Sequence, residues 1–165
     1  MQIPASRKIH RQCHSAVSYG PKLPIGKNGA RIQTYLSSAI DDHSRLLLTS
    51  RFYDNQEEAI VEDTFHQAIL RYGKFVETKG IQRSYSKKAY PWNNACIESF
   101  HALIKREWLN RFKIFNYNHA YRLVFQYIET FYNTVRIHSH CGYLSPDEYE
   151  NLYRKNLDEL ETLAG

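Results

Sequence analysis

No apolar run in these 165 residues is long enough to span a bilayer, so the sequence predicts no transmembrane helix. The first 16 residues, MQIPASRKIHRQCHSA, lack the apolar stretch of a signal peptide, and no export is expected. Cysteine is scarce. Cys13, Cys96 and Cys141 are an odd number with no CxxC pair, which argues against a disulfide framework and for a reducing cytosol. There is no internal repeat and no low-complexity tract. The chain is 42% hydrophobic with a mean hydropathy of -0.59, and its length suits one domain with a real core.

Charge is plentiful and uneven. The net charge is +5, yet Asp147 to Gly165 carries six acids and two bases, a net of -4 that leaves +9 for the rest. A basic body with an acidic end points to a polyanionic partner, with a solvated basic surface as the plainer reading.

Met1 to Ser15 is polar, basic and aperiodic, and reads as a loose lead-in. AVSYG (Ala16 to Gly20) suits a short strand, and PKLPIGKNGA, with two prolines and Asn28-Gly29, a loop or hairpin turn. RIQTYLSSAI (Arg31 to Ile40) and LLLTSRFY (Leu46 to Tyr53) read as strands around the turn DDHSR. The three strands form an antiparallel meander. A helix follows, with Ile60, Phe65, Ala68, Ile69 and Tyr72 on one face, Asp54 or Asn55 at its start and Gly73 at its end. A short strand is expected around Ile81 to Tyr85.

The second half is helical. Ile97, Phe100, Ile104 and Trp108 make one stripe, with Glu98, His101 and Lys105 on a neighbouring face. Tyr117, Ala120, Tyr121, Val124, Phe125, Ile128, Phe131 and Tyr132 repeat at helical spacing, as a core stripe or a partner surface. Ser145, Pro146 and Glu148 make a capping box for a last helix, stapled by Leu144 and Tyr149. The fold class is α/β.

Two blocks carry a resemblance. The first is VSYGPKLPIGKNGARIQTYLSSAIDDHSRLLLTSRFY with AILRYGK, which includes an Asp-x-x-Ser-Arg turn at Asp41, Ser44 and Arg45. The second is PWNNACIESFHALIKREW through YIETFYNTVRIHSHCGYLSPDEY, with Tyr132-Asn133, Arg136, His138-Ser139, Gly142-Tyr143 and Ser145-Pro146 in order. Together, from about Gln12 to Tyr149, they resemble the catalytic core of bacterial insertion-sequence transposases of the retroviral-integrase (DDE) type. The resemblance implies an RNase H-like fold over residues 16–150, followed by an acidic helix end over 151–165. It implies DNA, as element ends and target, for a partner. Self-association or a full-length transposase is a further partner, and no membrane is involved. It implies Mg²⁺ or Mn²⁺ held by two aspartates and a glutamate, the two ions flanking an in-line displacement at phosphorus. By this resemblance Glu98 is the third carboxylate and a metal ligand, and His101 and Lys105 approach DNA phosphates.

The pattern departs from the family at both aspartates. The first falls on Ala16, in SAVSYGP, and alanine has no oxygen ligand. The second should follow the first helix, but AILRYGK passes straight to FVETKGI with no Asp-x-Gly. The core reads as internally deleted near residues 74–75, truncated in the middle of the sheet. Asp63 has a family-like spacing from Glu98 but falls mid-helix and is set aside. Asp41 or Asp42 is the remaining candidate ligand, each weighed against a plain turn-capping role. The expectation is a core with impaired cleavage and doubtful metal binding.

Two rival readings stay open. In RSYSKKAYPW, Arg83, Lys87 and Lys88 alternate with Tyr85, Tyr90 and Trp92, which suits DNA binding without catalysis, or a plain basic loop. His10, Cys13, His14, His138, His140 and Cys141 are zinc-type ligands without paired zinc spacing. No helix-turn-helix pattern is present to read a DNA sequence.

Overall fold

β-Branched and aromatic residues favour an extended, half-buried chain, and RIQTYLSSAID supplies them for the central strand of the sheet. The structure, a computed structural model, describes residues 13–24, 31–77, 83–84 and 95–164. Strand β2 (Arg31–Asp41) pairs antiparallel with β1 (Cys13–Pro24) on one side and with β3 (Leu47–Tyr53) on the other. A two-residue β4 (Arg83–Ser84) lies parallel to β1, through Cys13 with Arg83 and His14 with Ser84. The order is β3-β2-β1-β4.

Strand β1 is longer than the expected Ala16 to Gly20. It starts inside the lead-in and runs on to Pro24, with a register shift between Tyr19 and Lys22. The shift takes Gly20 and Pro21 out of the regular ladder, where a proline has no N–H to offer.

The side-chain period of two divides β2 between two layers. Leu36 and Ile40 join Leu47, Phe52, Ile97, Phe100, Ile104 and Val124 in the larger core. Ala39 joins Leu46, Leu48, Phe65 and Ala68 in the smaller one. Helix α1 (Glu58–Glu77) therefore covers one face, and α2 (Ala95–Glu107) with α3 (Tyr117–Tyr127) the other. Each fully buried aliphatic or aromatic side chain contributes about 1.5–3 kcal/mol relative to exposure. Polar keys set the register of both layers. Thr64 Oγ1 donates to Ser37 Oγ at 2.8 Å on the α1 side. Ser38 Oγ shares hydrogen bonds with Ser50 Oγ (2.6 Å) and His101 Nε2 (2.9 Å) on the α2 side.

Helix α1 starts at Glu58, after Asn55 Oδ1 has accepted the Glu57 N–H at 3.1 Å. It does not stop at Gly73. The backbone leaves helical values at Tyr72 (φ -121°, ψ 19°), and the chain continues helical to Glu77. Asn116 caps α3 by accepting the His119 N–H at 2.9 Å. The helix expected to run unbroken to Tyr132 widens into a π turn at Ile128–Tyr132. The aromatic stripe is split accordingly. Ala120, Val124, Ile128 and Tyr132 are core, as are Leu123 and Tyr127, while Tyr121, Phe125 and Phe131 are exposed.

A 3₁₀ turn at Ser139–Cys141 leads to α4 (Pro146–Ala164). Gly142 and Tyr143 both take left-handed φ, 65° and 64°, a conformation cheap only for the glycine. The α4 capping box forms: Ser145 N–H and Oγ donate to Glu148 Oε2 at 2.9 and 2.8 Å. No helix among the described residues is long and apolar enough to cross a membrane.

Candidate functional site on the glutamate helix

Helix α2 carries Ile97, Phe100, His101 and Ile104 on its buried face. Glu98 therefore sits in the first turn on an exposed flank, and it has no polar partner among the described residues. A carboxylate near a helix start is favoured by the helix dipole. Lys105 lies seven residues on, partly buried, and burial lowers its pKa.

His101 does not face DNA as the sequence suggested. It is 3% exposed, turned onto the sheet against Ser38, and rests on Phe100 with ring centroids 5.6 Å apart. Burial, aided by the Lys105 charge, pushes its pKa down to about 3, so the ring is neutral at pH 7. Ser38 is also the register partner of Ala16. Position 16 thus pairs with the strand residue bonded to His101, one helical turn beyond Glu98.

The aspartates of the β2–β3 turn are already engaged. Asp41 is buried; Oδ2 accepts Ser44 Oγ (2.6 Å) and Ser44 N–H (3.2 Å), and Oδ1 accepts His43 N–H (3.4 Å). Arg45, at φ 61°, closes the turn and pairs with Asp42. The Cys96 thiol donates to Asp42 Oδ1 at 3.1 Å, which brings the start of α2 beside this turn. Burial raises that thiol to about 11. Asp63 lies within α1 and accepts Tyr53 Oη at 2.6 Å and Arg51 at 3.3 Å. The Tyr53 hydrogen bond holds its carboxyl below the usual range. The tyrosine, chiefly by burial, rises to about 12.

These residues do not fit a two-cation centre. Position 16 has no oxygen ligand, residues 78–97 contain no acid, Asp41 is held by Ser44 and His43, and Asp42 by Arg45 and Cys96. Glu98 is left as a single free carboxylate. Among the described residues no group of three or more His, Cys, Asp or Glu is placed to hold a metal ion. Of the zinc-type residues, Cys141 is buried with its thiol on the Ser44 carbonyl (3.2 Å), and His138 packs edge-on against Tyr132. His10, Lys87 and Lys88 lie outside the described residues, and Cys13, His14 and Arg83 are described as strand backbone only.

The motif residues after α3 are structural. Asn133 Oδ1 accepts the Leu47 N–H at 3.0 Å and Nδ2 donates to the Leu47 carbonyl at 3.1 Å. Its own carbonyl accepts the Asp147 N–H at 3.0 Å. Arg136 and Tyr127 Oη both donate to Glu107, at 3.2 and 2.8 Å. This set joins β3, α2, α3 and the start of α4. Neither a helical nor a strand period predicts it, because the partners are up to 86 residues apart.

The integrase core domain family matches residues 79–146. The transposase of insertion sequence IS904 from Lactococcus lactis is 32% identical over 137 residues, 70% of this chain and 54% of that protein. The chain carries an integrase core domain similar to that of insertion-sequence transposases. The transposase InsF of IS3A from Escherichia coli is 40% identical over 77 residues, 47% of this chain and 26% of InsF. A Lactococcus lactis protein named ATP-dependent protease is 34% identical over 97 residues, 58% of this chain and 31% of that protein. The chain thus spans about half the length of IS904 transposase, and less of the others. An integrase core domain implies an RNase H-like fold.

Proposed function

We propose that this chain is an integrase-type DNA-binding core in which metal-dependent phosphodiester cleavage is disarmed. The supporting observation is the register of Ala16 with Ser38, the partner of His101 one turn from Glu98. The strand position beside the glutamate helix holds no acid, and the stretch from 78 to 97 supplies none. A single exposed carboxylate cannot offset the dehydration of two small divalent ions. Mg²⁺ and Mn²⁺, the family's cofactors, are bound weakly or not at all. Shortening of the chain near residues 74–75 accounts for the missing second acid.

What persists is affinity for DNA through the basic body, with Arg83, Lys87, Lys88 and Lys105 as phosphate contacts. A second copy or a full-length transposase is the protein partner, in the cytoplasm. The test is nicking of supercoiled plasmid with Mg²⁺ or Mn²⁺ by this chain and by Glu98→Gln. Equal background in both is expected. Cleavage abolished by the substitution overturns the reading.

A further inference from the structure

We propose that the groove between the end of α2 and the chain following α3 receives the α4 end of a second copy of this protein. The groove has a cavity volume of about 530 Å³ and is lined by Trp108, Arg111, Phe131, Val135, Arg136 and Ile137. Val135 and Ile137 are 59% and 58% exposed, and Phe131 and Phe112 add apolar surface beside them. Phe131, Val135 and Ile137 line one concavity, with Phe112 packed on its Trp108, and so make a patch rather than scattered exposure.

The rim is basic. Arg111 has no side-chain partner among the described residues, and Arg106 and Lys113 are exposed nearby in sequence. Glu107, the one acid in the lining, is taken by Tyr127 and Arg136. An occupant must therefore be apolar along one face and acidic beside it. The exposed aliphatic Val135 and Ile137 beside the basic rim match an occupant that carries leucines and acids on one helix.

Helix α4 has this character. Tyr153 is the last buried residue described along it, and Asp158, Glu159 and Leu163 are exposed beyond. Leu152, Glu159 and Leu163 fall on one stripe, at i, i+7 and i+11. The acidic end of the sequence thus meets the basic body between copies, as a head-to-tail contact. The inference names a surface for the self-association proposed above and rests on it.

The test is sedimentation velocity of the full chain over a hundredfold concentration range, with Ile137→Asp, Arg111→Glu and the double variant Arg111→Glu/Glu159→Arg. Circular dichroism confirms that each is folded. Concentration-dependent association is expected, weakened about tenfold or more by either single substitution and recovered in the double variant. A monomer at every concentration overturns both the self-association and the groove. Association unchanged by the single variants overturns the groove alone, as does loss of DNA binding in them without loss of association. Failure of the double variant to recover overturns α4 as the occupant.

Discussion

Asn133 holds Leu47 by both of its backbone polar groups, accepting the N–H at 3.0 Å and donating to the carbonyl at 3.1 Å. A side-chain amide thus takes the place of a neighbouring strand at the start of β3. Both partners are buried, so removing the amide strands two backbone groups away from water. Asn133→Ala is expected to cost about 2–4 kcal/mol, from two lost buried partners. Urea unfolding with unchanged m-value checks it. Asn133→Asp keeps the acceptor, loses the donor and falls between.

His101 predicts the pH dependence of stability. Its folded pKa, about 3, lies below the ordinary 6.5 of the unfolded chain. Between these values the unfolded state binds more protons, so stability falls as pH drops from about 6.5 towards 3. His101→Gln is expected to flatten that slope, measured as urea midpoints against pH. Some slope remains from His138, which burial lowers to about 4.

The α4 cap gives a local test. Ser145→Ala removes the hydroxyl that serves Glu148 and is expected to cost about 1 kcal/mol. Thermal unfolding measures it, and Ser145→Thr is expected to recover most of the loss.

DNA affinity is expected to fall steeply with salt. Lys87→Ala and Lys88→Ala are each expected to reduce the log–log salt slope by about 1, with equal effect on unrelated duplexes. Fluorescence anisotropy at several salt concentrations reads both quantities. A slope unchanged in the double substitution removes this segment from the DNA contact.

The capping box and the apolar stripe of α2 were legible because every residue they need lies within a few positions. The exposed placement of Glu98 follows from the same period. His101 misled because it sits between the Ile97 stripe and the Glu98 flank, and its partner Ser38 is 63 residues away. The π turn after α3 has no local signal, so Phe131 and Tyr132 could not be assigned outside and inside from spacing. The turn aspartates were ambiguous for a different reason. Capping and metal ligation call for the same carboxylate, and only the Ser44 contacts separate them.

Ser37 and Ser38 are consecutive in the chain and serve opposite layers, one keyed to Thr64 of α1 and the next to His101 of α2. Strand β2 is thus a common ruler, with both helices measured from it. A one-residue insertion there would misplace two layers at once. The fold is therefore brittle in its central strand, where one slip costs both sides of the sheet their alignment.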